Sequence, residues 1–180
     1  MKTFFLFGAV VLVLSGSVLL SAADSPLLST PKAAPQPDQA DLLVGLRKKG
    51  TYKGDDVYSA RLISRQRVRA SLSSRGITAY YRIQNDSQGL MGRPWSIFAL
   101  GGAKSDSRFD VSYFSDKGRN VTAKMARGKY VLNIATDAET SLRQRIFPKT
   151  SVPASGSFEV KAKNRNTGSK DTAGVLARRS

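Results

Sequence analysis

Residues 67–84 read RVRASL-SSRG-ITAYYRIQ, and this stretch decides the fold. In the first run Val68, Ala70 and Leu72 alternate with Arg67, Arg69 and Ser71. In the second, Ile77, Ala79, Tyr81 and Ile83 alternate with Thr78, Tyr80, Arg82 and Gln84. A period of two buries one face of an extended chain and wets the other, so both runs are predicted strands. Ser73-Ser74-Arg75-Gly76 between them is short and ends in glycine, which predicts a hairpin turn.

The same period recurs on both sides of that stretch. Apolar residues 42–46 open the pattern. Strands are predicted at 95–100, at 108–114 with Phe109, Val111 and Tyr113 inward, and at 129–135 with Tyr130, Leu132 and Ile134 inward. Others follow at 140–147, at 157–163 with Phe158, Val160 and Ala162 inward, and at 172–178, with a weaker one at 120–125. No amphipathic helix stands out. The reading is all-β: an antiparallel, immunoglobulin-like β-sandwich of about seven to nine strands. Trp95, the single tryptophan, is expected in its core.

The N-terminal 23 residues follow a different pattern. Lys2 is followed by an apolar run over residues 4–20 and then by Ser21-Ala22-Ala23, the layout of a cleaved signal peptide. Residues 24–40 hold Pro26, Pro31, Pro35 and Pro37, four of the seven prolines, among Ala, Ser and Gln. Such a segment buries too little apolar surface to offset its chain entropy and reads as a flexible linker. Residues 41–180 form the domain. The expected address is secreted, periplasmic or cell surface, with no membrane span after cleavage.

The chain has 29 basic and 13 acidic residues, a net charge of +16, and loss of Lys2 leaves 28 against 13, or +15. Charge of that size attracts polyanions over about 8 to 10 Å at physiological salt. Outside the cytoplasm these are acidic polysaccharide, teichoic or lipopolysaccharide phosphates, DNA and anionic lipid. Histidine and cysteine are both absent. The chain therefore lacks the usual neutral-pH general base, the common nitrogen and sulfur metal ligands, and any disulfide. Neither Asp55-Asp56 nor Asp106-Ser107 has the spaced acidic ligands of a calcium loop. No cofactor, metal or catalytic residue is expected, and the chain is read as a non-enzyme.

The run Thr78-Ala79-Tyr80-Tyr81-Arg82-Ile83-Gln84-Asn85-Asp86 resembles the strand ending in a polar Asn of bacterial immunoglobulin-like sandwich domains. Tyr130-Val131-Leu132, the turn Thr136-Asp137-Ala138-Glu139, strand 141–147 ending in Pro148, and the strands at 156–162 and 171–173 fit the same order. Together with the opening Asp41-Leu42-Leu43-Val44 they resemble the CARDB (cell-adhesion-related domain of bacteria) and alpha-galactosidase-associated sandwich domains. Asp137-Ala138 stands where that pattern often has Pro-Gly, and residues 88–94 have no counterpart in it. The resemblance implies an accessory role, as spacer, adhesion module or companion to carbohydrate-active enzymes, and no active site.

The candidate ligand-binding residues are those that alternation turns outward: Arg67, Arg69, Tyr80, Arg82, Arg143, Arg145, Lys161 and Lys163. Arginine's planar fork takes phosphate, sulfate or carboxylate two bonds at a time, and an exposed tyrosine stacks on sugar or base. Outward Lys and Arg also protect strand edges from pairing, which is the competing explanation. Three functional readings stay open. One is an interaction module for an anionic surface polymer. The second is a structural spacer or subunit, with a protein partner held by sheet-edge pairing. The third, ranked last, is a hydrolase using paired carboxylates.

Overall fold

Alternating side chains can share one core only if the strands carrying them stack as two layers, and the chain does this. The structure, a computed structural model, describes residues 40–86, 95–151 and 153–179. The expected signal peptide, linker residues 24–39 and the unmatched run 88–94 lie outside the described residues. The elements in chain order are β1 (Ala40–Gly45), β2 (Arg67–Ser71), β3 (Ile77–Asn85), β4 (Trp95–Gly102) and β5 (Phe109–Ser115). A short helix α1 (Thr122–Ala126) precedes β6 (Tyr130–Ala135), β7 (Glu139–Pro148), β8 (Ala154–Asn164) and β9 (Lys170–Arg179). A four-stranded sheet runs β1-β3-β7-β5 and a five-stranded sheet runs β2-β9-β8-β4-β6. This is an immunoglobulin-like β-sandwich, and the predicted inward residues of both sheets meet in a single core.

Tyr81, Tyr113, Phe98 and Phe109 are the largest side chains sealed in that core. Phe109 meets Phe158 edge to face with ring centres 5.1 Å apart, joining the two sheets. One polar chain crosses the apolar interior. The Tyr81 hydroxyl donates to Gln144 Oε1 at 2.8 Å, and Gln144 Nε2 donates to the Tyr113 hydroxyl at 2.8 Å. The Tyr113 hydroxyl donates in turn to the Ala103 carbonyl at 3.1 Å. A buried glutamine is tolerated there because both ends of its amide are satisfied.

Four expectations are corrected. The 73–76 turn forms, with Gly76 N–H donating to the Ser73 carbonyl at 3.0 Å, but it closes no hairpin. It carries the chain from one sheet to the other, because Val68 and Leu72 face Ala79 and Tyr81 across the core rather than sharing a face with them. Gly76 is needed for its positive φ of 72° and because a Cβ would clash with the Ile146 carbonyl. Second, β2 pairs with β9 in parallel, so the five-stranded sheet is mixed. Third, the weak strand at 120–125 is helical instead. Val121 and Met125, four residues apart, both turn into the core, and the Asn120 side chain accepts the Thr122 N–H at 3.0 Å. Fourth, Trp95 is 48% exposed. Ser96, Phe98 and Leu100 hold the inward positions of β4, which sends Trp95 outward with Ile97.

Among the described residues no helix is long and apolar enough to cross a membrane.

Candidate functional site

Strand alternation places all eight candidate residues on the outer sides of the sandwich, and strand order divides them. Arg67, Arg69, Lys161 and Lys163 lie on the five-stranded sheet; Tyr80, Arg82, Arg143 and Arg145 lie on the four-stranded sheet, on the opposite side. One continuous basic stripe does not form. Within the first set, β9 separates β2 from β8, and Arg67 and Arg69 align with Gly174 and Leu176 while Lys161 and Lys163 align with Thr172 and Lys170. Lys161 also pairs with Glu159 at 3.2 Å.

The second set is drawn together by register. Tyr80 lies opposite Arg143, and Arg143 lies opposite Phe114, so these three form one row across β3, β7 and β5. Thr78, Arg145 and Ser112 form the next row. The guanidinium of Arg143 sits 4.7 Å from the Phe114 ring centre, that of Arg145 4.9 Å from Phe147, and that of Arg82 4.4 Å from Tyr52. A cation over a ring face is held by the ring quadrupole, so these heads are pre-oriented without being neutralised. Arg82 has Glu139 at 3.8 Å, whereas among the described residues Arg143 and Arg145 have no carboxylate within 4.0 Å. The Arg143 Nε is buried with no hydrogen-bond partner. A depression of about 300 Å³ beside them is lined by Lys48, Tyr52, Tyr80 and Arg82 together with the acids Asp116 and Glu139.

Sequence reading did not single out Tyr52, Phe114 or Phe147. Alternation already turned both phenylalanines outward on the strands that carry the arginines. Tyr52 had no such signal, because its loop folds back over the sheet only in three dimensions.

Three of the acids serve the structure. Asp106 Oδ1 accepts the N–H groups of Arg108 and Phe109, both at 2.8 Å, and its Oδ2 takes the Arg108 side chain at 3.0 Å. Asp41 and Asp171 are both sealed from solvent and close enough to repel each other. Asp171 accepts the Leu42 N–H at 2.7 Å, the Ser59 N–H at 2.8 Å and the Gln66 side chain. Asp41 Oδ2 accepts the Asp56 N–H at 2.8 Å, and its Oδ1 has no partner. Burial pushes the Asp41 carboxyl up to about 8, reinforced by the like charges of Asp171, Asp86 and Asp55 and opposed by the Asp56 N–H. Burial also raises Asp171 above the usual carboxylate range, against the hydrogen bonds it accepts. These two buried carboxyls fasten the loop between β1 and β2 to the strand ends.

No family model matches the chain, and no curated protein matches it. Solved structures are similar to parts of it. The secreted serine protease VesC from Vibrio cholerae aligns at TM-score 0.40 and 8% identity over 64% of this chain, which spans 22% of that protein. The N-terminal domain of PorA aligns at TM-score 0.44 and 12% identity over 79% of this chain and 98% of that domain. PapD-like domain 7 of human CEP192 aligns at TM-score 0.42 and 6% identity over 89% of this chain and 95% of that domain.

Proposed function

We propose that the chain is an exported, non-catalytic immunoglobulin-like module of the CARDB type that binds an anionic surface polymer. The outer face of the four-stranded sheet does the binding. The observation that carries this reading is the row of Tyr80, Arg143 and Phe114 with Arg145 and Phe147 beside it: two stacked guanidiniums without carboxylate partners, next to a half-exposed tyrosine ring. Arginine oriented this way presents its fork to phosphate, sulfate or carboxylate, and the ring offers a stacking surface for a sugar. Asp41 and Asp171 are buried and bound to backbone N–H groups, so this pair does not supply the two open carboxyls that hydrolysis needs.

The test is binding of the purified protein to teichoic acid, lipopolysaccharide, acidic and sulfated polysaccharides, DNA and neutral glycans, at low and at about 0.15 M salt. Recognition predicts one preferred polymer at the higher salt, and a loss of at least about tenfold in Arg143→Ala/Arg145→Ala. Equal weak binding to every polyanion, abolished by salt, would overturn it.

A second reading, a subunit held by strand addition, is favoured by one observation. Strand β6 is an edge of the five-stranded sheet, and Val131 and Trp95 are exposed on its outer side. A partner strand there would extend the sheet. Crosslinking through residue 133 that captures no partner in the native envelope would count against it.

A further inference from the structure

A second concave groove is lined by residues other than those of the arginine–aromatic face. It measures about 650 Å³ and opens where the loop after β1 approaches the edge strand β2. Arg47, Thr51 and Lys53 of that loop line it together with Ser64, Arg67 and Arg69. Every ionisable residue lining it is a cation. Among the described residues none of the four enters an ion pair, although Lys149, Lys161, Arg82 and Arg108 elsewhere each have a carboxylate within 4.0 Å.

This grouping is costly for the free protein, since four like charges gathered at one concavity repel one another. Local structure enforces it. Arg67 and Arg69 are two residues apart on one strand and project to the same side, about 6.5 to 7 Å apart along it. Val68 between them is buried and fixes the strand's orientation. Lys53 is tied to β1 by reciprocal backbone hydrogen bonds with Val44, of 2.8 and 2.9 Å, which hold it in place. The loop behind it is fastened by Asp41 and Asp171 as described. The cations are thus placed by the backbone, and Thr51 and Ser64 line the same groove.

We propose that this groove is a discrete binding site for a tetrahedral oxyanion group, phosphate or sulfate, with Arg67 and Arg69 as the paired anion clamp and Arg47 and Lys53 completing it. The two arginines suit successive anionic groups of one ligand, and the volume is that of a small-ligand site rather than of a flat polymer face. The site stands on residues separate from those of the four-stranded sheet, so either can fail without the other.

The test is calorimetric titration of the purified protein with sodium tripolyphosphate and, separately, with a sulfated heparin tetrasaccharide, both at about 0.15 M salt. Saturable one-site binding of at least one of them is expected, and the arm that binds distinguishes phosphate from sulfate. Arg67→Gln/Arg69→Gln is expected to weaken it at least about tenfold, with the exposed, charge-matched Lys124→Gln/Lys129→Gln within about twofold. Because Arg67 is half-buried, exposed Arg69→Gln alone serves as the variant that keeps the fold, with a loss of about fivefold expected. Absence of saturable binding in both arms, or equal weakening by the two double variants, would overturn the proposal.

Discussion

At the scale of single residues, two buried polar groups decide how the core behaves. Gln144 joins Tyr81 to Tyr113, so replacing it removes a partner from two buried hydroxyls at once. Gln144→Leu is expected to lower the unfolding free energy by about 2 to 4 kcal/mol in urea denaturation, although leucine is the more apolar side chain. A variant as stable as the parent would show that the hydroxyls find other partners. Asp41 acts through pH. Its folded carboxyl titrates near 8 and an unfolded one near 3.8, so the folded state holds the proton more tightly. The stabilisation is complete below about 4 and is lost as pH rises through 8. The melting temperature should therefore fall from pH 5 to pH 8.5, by an amount equivalent to about 1 to 3 kcal/mol. The charged groups around Asp41 are Asp171, Asp86 and Asp55, all of its own sign. Asp41→Asn should flatten that fall while keeping the acceptor for the Asp56 N–H, and a slope unchanged in this variant would assign the effect elsewhere.

At the scale of elements, local pattern and long-range pairing separate cleanly. Each strand's inward set is legible from the sequence because pleating alone fixes which side chains share a face. Partners are not legible. Among the described residues β8 and β9 are the one consecutive pair joined as a hairpin; the other successive strands lie in different sheets. A turn of four residues can reverse the chain within a sheet or step between sheets, and only the far partner, here β9 for β2, settles which. Helix α1 shows the reverse failure. Its five residues are too short for a clear period, yet the four-residue spacing of Val121 and Met125 was there to be read. Met125 is completely buried, so Met125→Ala is expected to cost about 2 to 5 kcal/mol and to be seen as an earlier urea midpoint. A loss below about 1 kcal/mol would mean that α1 contributes little to the core.

At the scale of the whole molecule, net charge and its distribution govern what the domain can meet. With +16 on the chain, self-repulsion opposes the compact state. Raising salt from about 0.02 to 0.3 M should lift the melting temperature by about 2 to 5 °C in calorimetry, and no change would show the charges already balanced locally. The eight outward candidates were legible as outward, including Tyr80 beside Arg82. Their division between opposite faces was not, nor was the gathering of Arg47 and Lys53 with Arg67 and Arg69 around one groove. By itself the sequence determined the all-β class, the buried face of nearly every strand and a cationic surface without histidine or cysteine chemistry. These depend on period and composition, which are local. Only the tertiary structure decided strand order, the parallel β2–β9 pair and which cations become neighbours, because each depends on contacts between residues far apart in the chain.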